Sequence, residues 1–264
     1  MVRRILAANT LAALCVVLSS QARADDAAAD NAGPRPGQHA HTFEFKGNQP
    51  VTYGYLLYLP PEYGKDAKKT WPVILFLHGS GEKGDGKDQI NKVKQHGPPK
   101  IVEQRKDFPF IVISPQCPID QRGWRPDALA ALVDDVLAHH KADPDRVYLT
   151  GLSMGGFGTW ALAARYPDKF AAIAPICGGG DPATAEKLKD LPTWVFHGEQ
   201  DKTVPIDRSQ AMVDAMKKAG AKDVQFTKYP DKGHDSWTVT YDNQKLYDWF
   251  LEHKRGGKGG KADK

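Results

Sequence analysis

Three polar residues of this 264-residue chain have the types and spacing of a nucleophilic relay: Ser153, Asp201 and His234. Ser153 stands in Gly151-Leu152-Ser153-Met154-Gly155, between the apolar run Arg146-Val147-Tyr148-Leu149-Thr150 and an amphipathic stretch from Gly156 to Tyr166. That is a strand, a sharp turn and a helix, the setting in which a serine is presented for attack. A serine hydroxyl is a weak nucleophile, so a base and two N–H donors must reach it, and Gly151 and Gly155 leave room for the backbones that crowd such a turn. His234 is the expected base: it takes the serine proton during attack and returns it to the leaving group. Asp201 is expected to accept the other imidazole N–H, setting the tautomer and stabilising the imidazolium. The oxyanion needs preorganised donors. The backbone N–H of Met154 is one, and that of Ser80, in preference to Gly81, is the other.

The elements that must position these groups follow from hydrophobic patterning. Val73-Ile74-Leu75-Phe76-Leu77 is a continuous apolar run, as expected of a strand buried on both faces. Phe110–Ile113, Val147–Leu149, Ala171–Ala174 and Thr193–Phe196 repeat that character, and Val51–Leu59 reads as an earlier strand. Helical spacing of Leu129, Leu132, Val133, Val136 and Leu137 behind Asp127 predicts one helix, and another runs from near Asp207 to Gly220. This alternation predicts an α/β fold with a mostly parallel central sheet covered by helices on both faces. In such sheets the site lies at the carboxyl ends of the strands. Leu77 runs into His78-Gly79-Ser80-Gly81, Leu149 into the serine turn, and Phe196 into His197-Gly198-Glu199-Gln200-Asp201.

Neighbouring polar residues have plainer readings. Asp207 looks like a helix-start residue, and Asp231 and Asp235 flank His234 on the wrong side of a strand. His78 and His197 are expected to be buried supports rather than bases. His139 and His140 are adjacent on a helix and cannot face one ligand together, and neither a metal nor a cofactor is expected. Glu82, with Gly81, is a candidate substrate contact, although a solvated loop charge is the plainer expectation for it. Trp124 either walls a pocket or anchors its loop.

Residues 1–24 combine Arg3-Arg4, an apolar run from Ile5 to Leu18 and Ala22-Arg23-Ala24, the pattern of a secretory signal peptide. Residues 25–40 read as a flexible Pro/Gly/Ala-rich lead-in, 41–253 as one catalytic domain without a large cap, and 254–264 as a disordered basic tail. Of the formal charge of +4, residues 1–24 carry +3 and residues 254–264 carry +4, leaving the rest at −3. No basic patch argues for nucleic acid, and no other segment is apolar enough to span a membrane. A secreted or periplasmic monomer, or weak homodimer, is expected. Cys117 and Cys177 would sit in an oxidising compartment, where a disulfide between them is open.

His78-Gly79-Ser80-Gly81-Glu82-Lys83-Gly84, Ser114-Pro115-Gln116-Cys117-Pro118, the serine turn and Gly233-His234-Asp235-Ser236-Trp237 together resemble the single-domain esterases of the α/β-hydrolase superfamily. These are the phospholipase/carboxylesterase and feruloyl or acetyl-xylan esterase branch, related to prolyl oligopeptidase catalytic domains. The similarity runs from about Tyr53 to Leu251. It implies an α/β-hydrolase fold and serine esterase activity, and does not fix the substrate. The short, polar, Gly-rich segment from Gly178 to Leu191 leaves no large apolar cap, and an open cleft suits feruloyl or acetyl esters of polysaccharide first and small carboxylesters next. The alternatives are a peptidase of prolyl oligopeptidase type and a secreted binding protein without catalysis.

Overall fold

The computed structural model describes residues 34–258. Eight strands form one sheet: β1 (Gly37–Phe45), β2 (Val51–Leu59), β3 (Trp71–Leu77), β4 (Ile111–Pro115), β5 (Ala142–Leu152), β6 (Ala172–Ile176), β7 (Thr193–Gly198) and β8 (Val224–Tyr229). Their spatial order is β1-β2-β4-β3-β5-β6-β7-β8. The two pairings of β2, with β1 and with β4, are antiparallel, and the others are parallel. The helices are α1 (Gly97–Gln104), α2 (Pro126–His139), α3 (Met154–Arg165), α4 (Ala185–Leu188), α5 (Asp207–Lys218), α6 (Trp237–Tyr241) and α7 (Gln244–Leu251). This is the α/β-hydrolase architecture that the sequence predicts.

Successive strand side chains point to opposite faces, and the continuous apolar runs therefore feed two cores. Val73, Leu75 and Leu77 of β3 join a cluster with Leu129, Leu132 and Val133 of α2, Trp160 of α3 and Met212 of α5. Ile74 and Phe76 join the opposite cluster, with Val102 of α1, Tyr241 of α6 and Leu246 and Phe250 of α7. Each such side chain, fully buried, contributes roughly 1.5–3 kcal/mol. No helix among the described residues is long and apolar enough to cross a membrane.

Two boundaries differ from expectation. β1 begins at Gly37, inside the stretch read as a flexible lead-in, and pairs with β2 from Gly37 opposite Leu59 to Phe45 opposite Val51. The tail does not start as a disordered segment. His253–Lys254 pairs with Gly257–Lys258. The Arg255 amide donates to the Asp145 carbonyl at 2.8 Å, and its guanidinium lies 3.1 Å from the Asp145 carboxylate. A local hairpin and one acid thus order what composition alone marks as a solvated end. The expected signal segment, the lead-in before residue 34 and residues 259–264 lie outside the described residues.

The sheet and α3 meet through glycine. A β-carbon on Gly155 would lie 1.8 Å from the Leu77 carbonyl oxygen, and one on Gly151 would lie 2.5 Å from that of Gly155. Neither obstacle is a flexible side chain, so relief requires backbone movement. Gly155→Ala is therefore expected to lower unfolding free energy by about 3 kcal/mol or to prevent soluble folding. Gly123→Ala, where a β-carbon would meet nothing within 4 Å, should change it by less than about 0.5 kcal/mol. Urea denaturation of both variants checks the contrast.

Candidate active site

Strand β5 ends at Leu152, and α3 begins at Met154, which leaves Ser153 alone to make the turn. It does so at φ 53° and ψ −116°, a conformation L-residues rarely adopt. The turn is held from below, since the Ser153 amide donates to the Ile176 carbonyl at 3.0 Å. Its hydroxyl lies 2.9 Å from His234 Nε2, and His234 Nδ1 lies 2.7 Å from Asp201 Oδ2. Because an ionised carboxylate only accepts, Nδ1 carries the proton and Nε2 is left to accept from Ser153. The three residues that the sequence singles out are thus brought into one hydrogen-bonded line.

Asp201 is supported on its other oxygen, where Oδ1 accepts from the amides of Thr203 at 2.8 Å and Val204 at 2.9 Å. Burial pushes its pKa up, but the bonds from His234, Val204 and Thr203 outweigh burial and the net direction is down. The rival acids are engaged elsewhere. Asp207 opens α5, Asp231 pairs with Lys232, and Asp235 accepts from the Thr238 amide and hydroxyl, both at 3.0 Å. His197 sits beneath Asp201, with Nε2 2.8 Å from the Val204 carbonyl and Nδ1 2.8 Å from the Ser209 hydroxyl.

His78 is likewise a support. Its Nδ1 donates to the Gly79 carbonyl at 2.5 Å, and its Nε2 accepts from the Cys117 amide at 2.9 Å. That pair of bonds requires a neutral ring, and burial pulls its pKa down to about 4. Beyond it, Gly79 leads into a single 3-10 turn, Ser80–Glu82. A β-carbon on Gly79 would meet Ser153 Cβ at 3.7 Å, so this turn runs beside the nucleophile. The Met154 amide belongs to the first turn of α3, where amides have no intrahelical acceptor. The backbones expected to supply the oxyanion donors, Met154 and Ser80, therefore lie on the two chain segments that flank Ser153.

Sequence reasoning missed how this loop is fastened. The buried Gln116 amide donates to the Glu82 carbonyl at 2.9 Å and the Gln89 carbonyl at 2.8 Å, and its oxygen accepts from the Gly86 amide at 2.9 Å. A glutamine directly after a buried strand is the signal that was available. Glu82 itself is no solvated loop charge. The turn folds it inward until its side chain is only 8% exposed, 3.9 Å from both His78 Nδ1 and His96 Nε2. Gly81 faces open space. Trp124 serves both readings proposed for it. Its ring packs on His78 at 4.8 Å, and it helps Arg122, Met154, Phe157 and Ala161 wall a cavity of about 450 Å³ at Ser153.

Cys117 and Cys177 are free thiols, on loops after β4 and β6, which β3 and β5 separate. Cys177 Sγ, Asp201 and His234 have ligand-type atoms within 4.8 Å of one another. Burial pushes the Cys177 thiol up to about 12, and Asp201 and His234 already bond each other, a donor set poorly prepared for a metal ion.

Comparison with known proteins agrees with this geometry. The model of the dienelactone hydrolase family matches residues 46–247. The chain belongs to the dienelactone hydrolase family. It is 32% identical to the Arabidopsis thaliana carboxylesterase SOBER1 over 191 residues, covering 61% of this chain and 82% of that protein. Acetylxylan esterase A of Emericella nidulans is 28% identical over 56% of this chain and 49% of its own. A solved structure titled as a thermostable esterase superposes with a TM-score of 0.67 at 33% identity, covering 82% of this chain and 63% of the other. This chain spans about half the length, or less, of the first curated relatives it matches. The relatives and the structure named here are described as a carboxylesterase, an acetylxylan esterase and an esterase.

The neutral, buried histidines give this dienelactone hydrolase family member an acid-sensitive site. Between pH 6.5 and about 4 the unfolded chain binds a proton at residue 78 that the folded chain does not. Stability therefore falls as pH drops through that window, by up to roughly 3 kcal/mol from this residue. Burial also pulls the His197 pKa down, which acts with the same sign. Thermal unfolding at stepped pH should show the slope, and His78→Gln should reduce it.

Proposed function

We propose that this chain is an exported serine carboxylic-ester hydrolase acting through an acyl-enzyme, with Ser153 and His234 as catalytic residues and Asp201 as their positioning acid. The observation that carries this reading is the continuous line of bonds from Asp201 through His234 to the Ser153 hydroxyl, 2.7 and 2.9 Å long. Ser153 Oγ attacks the acyl carbon while its proton passes to His234 Nε2. The amides of Met154 and Ser80 take the developing negative charge on the carbonyl oxygen. His234 then protonates the departing alcohol as the carbon–oxygen bond breaks. Water repeats the sequence: it loses a proton to His234, attacks the acyl carbon and releases the acid with Ser153 reprotonated.

The substrate class follows from what borders Ser153. Its cavity is lined by the aromatic rings of Trp124 and Phe157 and by Arg122. Such a cleft suits feruloyl or acetyl esters carried on polysaccharide, and small carboxylesters next. The pattern of residues 1–24 supports export.

Ser153→Ala is expected to lower p-nitrophenyl acetate hydrolysis at least about 10³-fold with folding intact, and His234→Ala to be similarly severe. Asp201→Asn should also be damaging, because the amide disfavours the required tautomer. Asp207→Ala should retain near-native rates. A Ser153→Ala enzyme with a tenth of native activity would overturn the assignment.

Because charge stabilisation is assigned to N–H groups, dialysis against EDTA should leave the rate unchanged. An ester and its matched anilide, assayed side by side, separate esterase from peptidase, with the ester expected to be faster. Methyl ferulate, acetylated xylan and a medium-chain ester rank the acyl and alcohol preferences.

A further inference from the structure

Near Ser153 lies a polar group of residues that the triad does not use. Glu82 is 92% buried by its side chain, and its Oε2 has no hydrogen-bond partner. His78 Nδ1, 3.9 Å from it, is committed to the Gly79 carbonyl. A buried carboxylate oxygen left in this way is costly. A β-carbon on Gly79 would lie 3.2 Å from Glu82 Oε2 and 3.7 Å from Ser153 Cβ, and only 2.8 Å from Leu152 Cδ1, so the carboxylate is packed close to the nucleophile across the Gly79 backbone.

The other carboxylate oxygen faces His96, with Oε1 3.9 Å from Nε2. That separation is too long for a hydrogen bond, but it is one that a single oxygen atom can bridge with two ordinary bonds. His96 in turn lies against Trp237, ring centroids 5.5 Å apart, and Trp237 lies against His234 at 5.3 Å. The Trp237 Nε1 is also buried without a partner. Glu82, on the oxyanion loop, is therefore linked through His96 and Trp237 to the triad histidine.

A carboxylate only accepts, whereas an imidazole N–H donates. The group that satisfies both at once must donate and accept, as a hydroxyl does; an ammonium group would satisfy the carboxylate alone. We infer that Glu82 and His96 form a subsite for a hydroxyl group that the substrate carries next to its scissile ester, either on the alcohol, as in a sugar or polyol ester, or on the acyl chain. This deepens the esterase reading and rests on it.

The test compares kcat/KM within two ester pairs, each differing by one hydroxyl: 2-hydroxyethyl acetate against ethyl acetate, and methyl 3-hydroxybutyrate against methyl butyrate. The first pair reports a hydroxyl on the alcohol, the second one on the acyl chain. In the native enzyme, one pair is expected to favour the hydroxylated ester by about tenfold or more, the value of a hydrogen bond to a charged group. Glu82→Gln and His96→Phe should each collapse that ratio, whatever rate remains, and the double variant should collapse it no further than either alone. A purely structural Glu82 would slow both esters of a pair equally and leave the ratio standing. His96 is 31% exposed by its side chain, so its variant reads the subsite even if Glu82→Gln fails to fold. A native enzyme that hydrolyses the esters without preference, or variants that keep the preference, overturn the subsite alone. No turnover on these four esters, on p-nitrophenyl acetate, methyl ferulate or acetylated xylan overturns the esterase reading, and the subsite with it; turnover of those three but of none of the four overturns the subsite alone.

Discussion

The backbone of Gly155 lies so close to the end of β3 that a β-carbon there would come within 1.8 Å of the Leu77 carbonyl oxygen. The geometry of the site depends on this approach. Leu77 is the last residue before His78-Gly79-Ser80, and Gly155 is the second residue of α3, so one contact sets the distance between the oxyanion loop and the nucleophile. A second contact works from the other side. A β-carbon on Gly156 would meet the Ile176 carbonyl oxygen at 2.4 Å, and one on Gly178 would meet the Gly156 carbonyl carbon at 2.5 Å. The first turn of α3 is therefore wedged between the ends of β3 and β6 by backbone alone. Backbone contacts of this kind do not change rotamer, which suits a site whose donors must be in place before charge develops.

Glycine brings the two segments together but does not stiffen the loop it leaves behind. That task falls to buried polar side chains. His78 and Gln116 between them engage the Gly79, Glu82 and Gln89 carbonyls and the Cys117 and Gly86 amides. A Gly-rich segment loses much conformational entropy on ordering, and these bonds offset part of that cost. They also explain why a sequence with glycine at 79, 81, 84 and 86 can hold one conformation beside the nucleophile. The same dense packing turns the Glu82 side chain inward, away from solvent.

How much of this was legible in the sequence varies with the physics behind each feature. The central strands were, because burial on both faces demands unbroken apolar runs such as Val73–Leu77. The serine turn was legible from its glycines, and the order Ser153, Asp201, His234 from strand ends that run into polar residues. The edge strand β1 was not. Its Gln38, His39, His41 and Glu44 alternate with little apolar content, and what makes it a strand is pairing with β2 along its whole length. Neither was α1, which carries Pro98 and Pro99 in its first turn, where the missing amides are not needed. Glu82 was misread because its burial comes from a turn and from Gln116, some 34 residues away, and no local pattern encodes such a contact.

Strain in the molecule is concentrated at the same edge of the sheet. Among the described residues, the two non-glycine residues with positive φ are Ser153 at 53° and Cys177 at 39°. They follow the neighbouring strands β5 and β6, and each is pinned by a bond that carries the sheet pattern one step further. Ser153 N–H donates to the Ile176 carbonyl at 3.0 Å, and Cys177 N–H to the Phe196 carbonyl at 2.9 Å. Unfavourable backbone conformations of this sort persist only where the surroundings over-determine them. Here the rigid parallel strands do so in series: β7 holds the residue after β6, and β6 holds the residue after β5. The position of the nucleophile is thus inherited from the register of three strands rather than from the loop that bears it, and a change that loosens β7 should reach Ser153 without touching it.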